Sequence, residues 1–175
     1  MDKADVQLVK VERHHLDELR QLSLTTFLDA FADANSEEDM RIYLNHAFSK
    51  TQLSEELQDT NTHFYFLSFE GELVGYFKIK FGLPKVLPEV GTALEICRLY
   101  IHQDYQGQQL GQWMLDNIIQ IARDHRLDFV WLGVWSQNPG AIRLYERKGF
   151  NKVGAYTFML GNDAQTDFIM KKELG

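Results

Sequence analysis

The sequence predicts an α/β fold, a mixed β-sheet built around a central parallel strand pair and flanked by helices. Three segments carry that expectation. Residues 93–101 read as a strand. Residues 109–126 set Leu110, Trp113 or Met114, Ile118 and Ile121 or Ala122 on one helical face. Residues 129–135 form a nearly continuous apolar run suited to a strand covered on both faces. Strand, helix and strand in this order imply a parallel pair with a right-handed crossover. Hairpin segments before and after it make the sheet mixed.

Each element has its local reason. Val6–Val11 alternates weakly and reads as a first strand, and His14–Phe31 repeats Leu16, Leu19, Leu22 or Ser23, and Thr26 or Phe27 at helical spacing. Ser36 with Glu37, Glu38 and Asp39 behind it reads as an N-cap followed by acids that suit the positive end of a helix dipole. Met40, Tyr43, Leu44, Ala47 and Phe48 continue that helix, and Ser49 or Thr51 starts a further short one, to about Asp59. His63–Phe69 and Leu73–Phe81, parted by Glu70-Gly71-Glu72, read as an antiparallel hairpin. Gly82–Gly91, with Pro84 and Pro88, is a loop. Pro139–Lys148 is a second amphipathic helix, with Pro139 favoured in its first turn and Gly149 ending it. Phe150–Leu160 and Gln165–Lys172 close the chain as a hairpin.

The 175 residues suit one domain over 1–175, with no internal repeat, low-complexity stretch or linker. The net charge of −7 is unevenly placed: residues 1–60 hold 13 Asp/Glu against 6 Lys/Arg, and the remainder holds 12 of each. The excess peaks between Asp29 and Asp39. An acidic surface repels nucleic acid and attracts cations; solvated helix faces account for such a run as well. No apolar run is long enough to span a bilayer, and the first ten residues lack the apolar block of a signal peptide. The single cysteine, Cys97, has no partner for an internal disulfide. These features lead to the expectation of a cytoplasmic protein without membrane or direct nucleic-acid partners, as a monomer or homodimer. The six histidines show no spacing with Cys or acids that suits a metal, so none is expected.

The segment with most chemical content runs from Leu94 to Gly111, where a strand enters a glycine-bearing loop and the loop enters a helix. The first amides of a helix have no partner within it and carry the positive end of its dipole, so such a turn suits a phosphate or diphosphate. Gly107 and Gly111 allow a ligand close to the backbone. An ordinary turn that needs glycine for its dihedrals fits these glycines equally.

Gln106-Gly107-Gln108-Gln109-Leu110-Gly111, after a strand and before Trp113, resembles the CoA-diphosphate loop of the GCN5-related N-acetyltransferases, with Gln109 standing where the family commonly has glycine. A side chain there is expected to require helical dihedrals. The resemblance continues through Trp131–Trp135, Asn138, Ala141, Tyr145, Gly149 and Phe150. Residues 27–48, the 131–135 strand and the tail from Gly154 are similar to PaiA-type spermidine/spermine acetyltransferases. The resemblance implies a sheet whose central parallel pair splays, acetyl-CoA as cosubstrate, an amine acceptor with polyamines favoured, and direct attack in a ternary complex. A CoA-binding regulator with little turnover, and an acetyltransferase for a protein N-terminus or another small amine, are the alternatives.

Roles follow from the same resemblance. It makes Tyr145 the general acid, and the backbone amide of Leu99 the donor to the oxyanion. Leu99, Tyr100 and Ile101 run beside the pantetheine arm. The amides of Gln106, Gly107, Gln108, Gln109, Leu110, Gly111 and Gln112 hold the diphosphate, and Asn138, Ala141, Tyr145 and Lys148 complete the cofactor contacts. Glu95 matches the strand glutamate used as base in the histone-acetylating branch; a salt bridge to Arg98 is the other reading of its charge. Tyr145 would otherwise be a core tyrosine on an amphipathic helix, and Lys148 a solvated lysine. Asp29 and Asp33 are the expected contacts for a polycationic acceptor. Cys97 is expected to be a small core residue, with no role in acetyl relay.

Overall fold

The computed structural model describes residues 5–83, 85–87 and 90–175. Pro84 and Pro88, in the expected 82–91 loop, lie outside these residues, as do the first four. Among the described residues seven strands form one sheet: β1 (Val6–Lys10), β2 (Thr62–Phe69), β3 (Glu72–Phe81), β4 (Ala93–Ile101), β5 (Phe129–Trp135), β6 (Asn151–Leu160) and β7 (Asp163–Glu173). Their spatial order is β1-β2-β3-β4-β5-β7-β6, so the last hairpin folds back and lays β7 against β5. All neighbours are antiparallel except β4 and β5.

Among the described residues five α-helices cover the sheet: α1 (Leu16–Phe31), α2 (Glu37–Ala47), α3 (Lys50–Gln58), α4 (Leu110–Asp124) and α5 (Pro139–Arg147). Their starts follow from side chains that accept the unpaired first amides. Ser36 Oγ accepts from the Asp39 amide at 3.1 Å and starts α2. Ser49 Oγ accepts from the Gln52 amide at 3.1 Å and starts α3. Asn138 Oδ1 accepts from the Ala141 amide at 3.2 Å and starts α5. The β2–β3 turn places both Glu70 (φ 52°) and Gly71 (φ 85°) in the left-handed region, which matches the right-handed twist of the flanking strands.

The two faces of the sheet have separate cores. On one, α4 buries Leu110, Met114, Leu115, Ile118, Ile119 and Ala122 against Leu94, Ile96, Val130 and Leu132. On the other, Leu19, Phe27, Phe48 and Leu53 of α1–α3 and the segments between them pack on Phe64, Phe66 and Tyr76. The hairpin β6–β7 is tied to the start of α2 by two long-range bonds: the Asn162 amide donates to Asp39 Oδ1 at 2.8 Å, and Gln165 Nε2 donates to Asn35 Oδ1 at 2.6 Å.

Two irregularities in β4 position the site. Its pairing with β5 covers only Ala93↔Phe129 to Ile96↔Leu132, and beyond Ile96 the two strands part. Its register with β3 jumps from Ile96↔Ile79 to Arg98↔Lys78, leaving Cys97 as an extra residue. Such a bulge reverses the alternation of side chains. Leu94, Ile96, Leu99 and Ile101 therefore share the α4 face, whereas Glu95, Arg98 and Tyr100 share the other with α1 and α2.

Candidate active site

The parting of β4 from β5 opens two clefts that meet. The first lies on the α4–α5 side and is lined by Leu99, Ile101, Tyr105, Gln106, Gly107, Gln109, Leu110, Gly111, Gln112, Gly140, Ala141, Leu144 and Arg147. The second, of about 180 Å³, lies beneath α1 and α2 and is lined by Glu95, Arg98, Tyr145, Tyr156 and Asp167 among aromatic walls that include Phe27, Phe31, Tyr43, Trp135 and Phe158. Leu99 and Ala141 line both.

In the first cleft the loop 107–112 holds free donors; the Gln106 amide, expected among them, instead donates to Gln103 O at 3.2 Å and closes the turn before the loop. Among the described residues no main-chain or side-chain acceptor takes the amides of residues 107–112, and the first helical bond of α4 is Trp113 N to Gln109 O, at 3.1 Å. Gly107 turns the chain at φ 78° with nothing within 4 Å of where a Cβ would stand, so the backbone is open to a ligand. Gln109 departs from expectation. It sits at φ 63°, ψ 10°, left-handed and not helical, so the position is one glycine adopts without cost. Gln109→Gly is expected to hold or raise the melting temperature, and the β-branched Gln109→Val to lower stability by about 1–2 kcal/mol; thermal melts of the pair check this.

Main-chain direction in β4 is also suited to a ligand. The His102 amide donates to Val74 O of the β3 side at 2.8 Å. Main-chain groups alternate sides along a strand, so Leu99 and Ile101 turn theirs toward the gap left by β5. The Ile101 carbonyl there accepts from Gln106 Nε2 at 3.1 Å, which occupies that side chain.

Five expected cofactor contacts do not line the first cleft: Tyr100, Gln108, Asn138, Tyr145 and Lys148. Lys148 is held by both carboxylate oxygens of Asp116, at 2.7 and 2.8 Å, and does not line the cleft; its neighbour Arg147 does. Tyr100 points its ring into an aromatic cluster with Tyr76, Phe27 and Phe31 and lines the second cleft only. Gln108 is exposed and lines neither cleft. Asn138 lines the second cleft while its Oδ1 caps α5.

In the second cleft Tyr145 and Glu95 are brought together. Tyr145 packs edge-on to Phe150, with ring centroids 5.8 Å apart, and burial pushes its phenol up to about 12. Burial raises the Glu95 carboxyl above the usual carboxylate range, partly offset by Lys78, Lys80 and a hydrogen bond with the Cys97 thiol. Glu95 forms no salt bridge with Arg98. Arg98 stacks its guanidinium 4.5 Å over the Phe48 ring, and its Nη1 lies 3.9 Å from Glu56, which also takes Lys78 at 3.0 Å. Cys97 lines the cleft and not the core; burial first, then the Glu95 charge, push its thiol up to about 12, so it stays protonated.

Asp29 and Asp33 are exposed and line neither cleft; the α1 residues facing the second cleft are Phe27 and Phe31, four apart on one helical face. The carboxylate that sequence reasoning missed is Asp167. It is the one acid within 165–172, at an inward position of β7 between Trp135 and Tyr156, and only 8% exposed.

The acetyltransferase (GNAT) family profile matches residues 16–150. The chain belongs to that family. A GNAT-like relative along nearly its whole length is the uncharacterized N-acetyltransferase in the pepI 3′ region of Lactobacillus delbrueckii subsp. lactis, 33% identical over 97% of this chain and 98% of the relative. The spermine/spermidine N(1)-acetyltransferase of Bacillus subtilis is 34% identical over 53% of this chain and 61% of its own length. The GNAT fold is shared with the PaiA N-acetyltransferase from Thermoplasma acidophilum, solved in complex with coenzyme A (TM-score 0.77, 21% identity, covering 96% of this chain and 98% of that one).

Proposed function

We propose that this chain moves the acetyl group of acetyl-CoA onto a primary amine, with a polyamine as acceptor, by direct attack while both substrates are bound. The observation that carries the reading is the junction of the two clefts at Leu99 and Ala141, with a row of unpaired amides on one side and Glu95 and Tyr145 on the other. The loop 107–112 fits a diphosphate, because its amides are unpaired and its backbone is open. The inward-turned main chain of Leu99 and Ile101 fits an amide-bearing arm laid along β4.

An alkyl ammonium has a pKa of about 10 and must lose a proton before it can attack a thioester. Glu95, in a partly desolvated cleft, is positioned to receive it. The Leu99 amide faces the gap in which negative charge would grow on the carbonyl oxygen. Tyr145 holds a proton for the departing thiolate. The protonated thiol of Cys97 favours direct attack over an acetyl-cysteine route. The polyamine reading draws on the similarity to the Bacillus relative and on the carboxylates and aromatic rings of the acceptor cleft.

If Glu95 is the base, kcat/KM rises with pH as its carboxyl loses a proton. Because burial raises that pKa, the limb lies above the ordinary carboxylate range. Glu95→Gln is expected to flatten it, and a pH–rate profile that keeps the limb in this variant removes Glu95 from the role. The function itself is tested by following free thiol after mixing the purified chain, acetyl-CoA and a panel of mono-, di- and polyamines. Turnover with spermidine or spermine supports the full reading. Turnover with other amines alone keeps the reaction and discards the polyamine, and CoA binding without thiol release sinks it.

A further inference from the structure

A carboxylate shut away from water is costly unless a cation or several donors answer its charge. Asp167 is 8% exposed, and among the described residues no Lys, Arg or His lies within salt-bridge distance of it. Its one side-chain hydrogen bond comes from the Tyr156 hydroxyl at 3.4 Å, long for a bond to an ionised oxygen. The other acid of this cleft, Glu95, sits near Lys78 and Lys80, and Arg98 is answered by Glu56. Asp167 is the cleft carboxylate left without a counter-charge.

The surroundings are built for this arrangement. The Tyr156 hydroxyl stands over Gly133 of β5, where a Cβ would overlap it and lie 2.9 Å from its ring carbons. Gly133 is two residues from Trp131, the partner of Glu95, and two from Trp135, the partner of Asp167, so the hydroxyl stands between the two carboxylates on one sheet face. Burial and both carboxylates hold the Tyr156 phenol well above its ordinary value, so it remains a donor. Trp135, Phe31 and Phe158 supply aromatic surface of the kind that favours organic cations.

We infer that Asp167, steadied by Tyr156, binds a second positively charged group on the acceptor, so that the cleft selects a diamine or longer polycation over a monoamine. The inference rests on the amine-acetylation reading above. Glu95 serves the reacting nitrogen, and Asp167 anchors the charge further along the chain.

The test measures binding to the full chain saturated with CoA. Calorimetric titrations compare 1,4-diaminobutane and 1,8-diaminooctane with the monoamines of equal length. At least one diamine is expected to bind about tenfold or more tightly than its monoamine, and Asp167→Asn to reduce that ratio about tenfold. The variant should keep or raise the melting temperature at neutral pH. Burial lets the folded carboxyl keep its proton to higher pH than the unfolded one, so stability falls as pH rises through that range, and the neutral amide removes the loss. A parent chain that binds both amines alike, or an Asp167→Asn chain with an unchanged ratio and an intact melt, overturns the anchor. Diamine binding that needs Asp167 but yields no thiol from acetyl-CoA sinks the transfer reading and leaves the anchor standing. Efficient acetylation of monoamines and diamines alike does the reverse.

Discussion

Tyr145→Phe is expected to lower kcat about 100-fold or more and to leave CoA affinity within about twofold. The ring of the variant keeps its packing on Phe150, so the change removes a proton and little else. A departing thiolate has a reference pKa of about 8.5, below the value of about 12 to which burial pushes the phenol. The same burial that makes Tyr145 reluctant to ionise makes a thiolate in that cleft more basic. The two groups therefore approach one another in proton affinity within the site. Steady-state thiol release and CoA calorimetry on parent and variant check the split. Unaltered turnover would mean another group supplies the proton.

Gly161→Ala is expected to destabilise the fold by about 2–4 kcal/mol. Gly161 adopts φ 61°, and a Cβ there would stand 2.5 Å from Asp39 Cα and 2.7 Å from Asp39 O. These are backbone atoms of α2, which is itself held by the Ser36 cap, so nothing moves aside cheaply. The clash levers β6–β7 from α2 and loosens the bonds Asn162–Asp39 and Gln165–Asn35. Phe158, Leu160 and Gln165 form one wall of the second cleft and Tyr43 of α2 another, so, if that cleft takes the amine as proposed, its KM should rise as well. Gly107→Ala is the control: its φ of 78° brings backbone strain, but the space around it is empty. Urea midpoints that coincide for the two variants would show that the contact with α2 is unimportant.

Much of this was legible in the sequence because local chemistry decided it. Ser36 and Ser49 each sit where a helix needs an acceptor for its first amides, and each performs that task. The run Phe129–Trp135 lies inside the sheet between β4 and β7, with Phe129–Leu132 buried, as its nearly continuous apolar character required. What the sequence hid depended on register and rotation. The extra residue at Cys97 brings Glu95 and Arg98 to one face, yet Arg98 finds its partner in Glu56, a residue of a distant helix. Asp29 belongs to the same helix as Phe27 and Phe31, but the helical turn points the rings inward and the acid outward. The return of β7 to lie beside β5 is a long-range pairing, and it alone carries Asp167 into the cleft. The left-handed setting of Gln109 is a backbone property that its side chain does not announce.

The divergence of β4 and β5 has a kinetic consequence. It makes a window through the sheet, with a separate doorway on each side: one between α4 and α5, the other beneath α1 and α2. Two reactants can arrive through different doorways and touch only at the sill formed by Leu99 and Ala141. On the proposed reaction neither would need to vacate its berth for the other to come in, so no compulsory sequence of arrival is expected, and the acylated product would depart by the way the free base came.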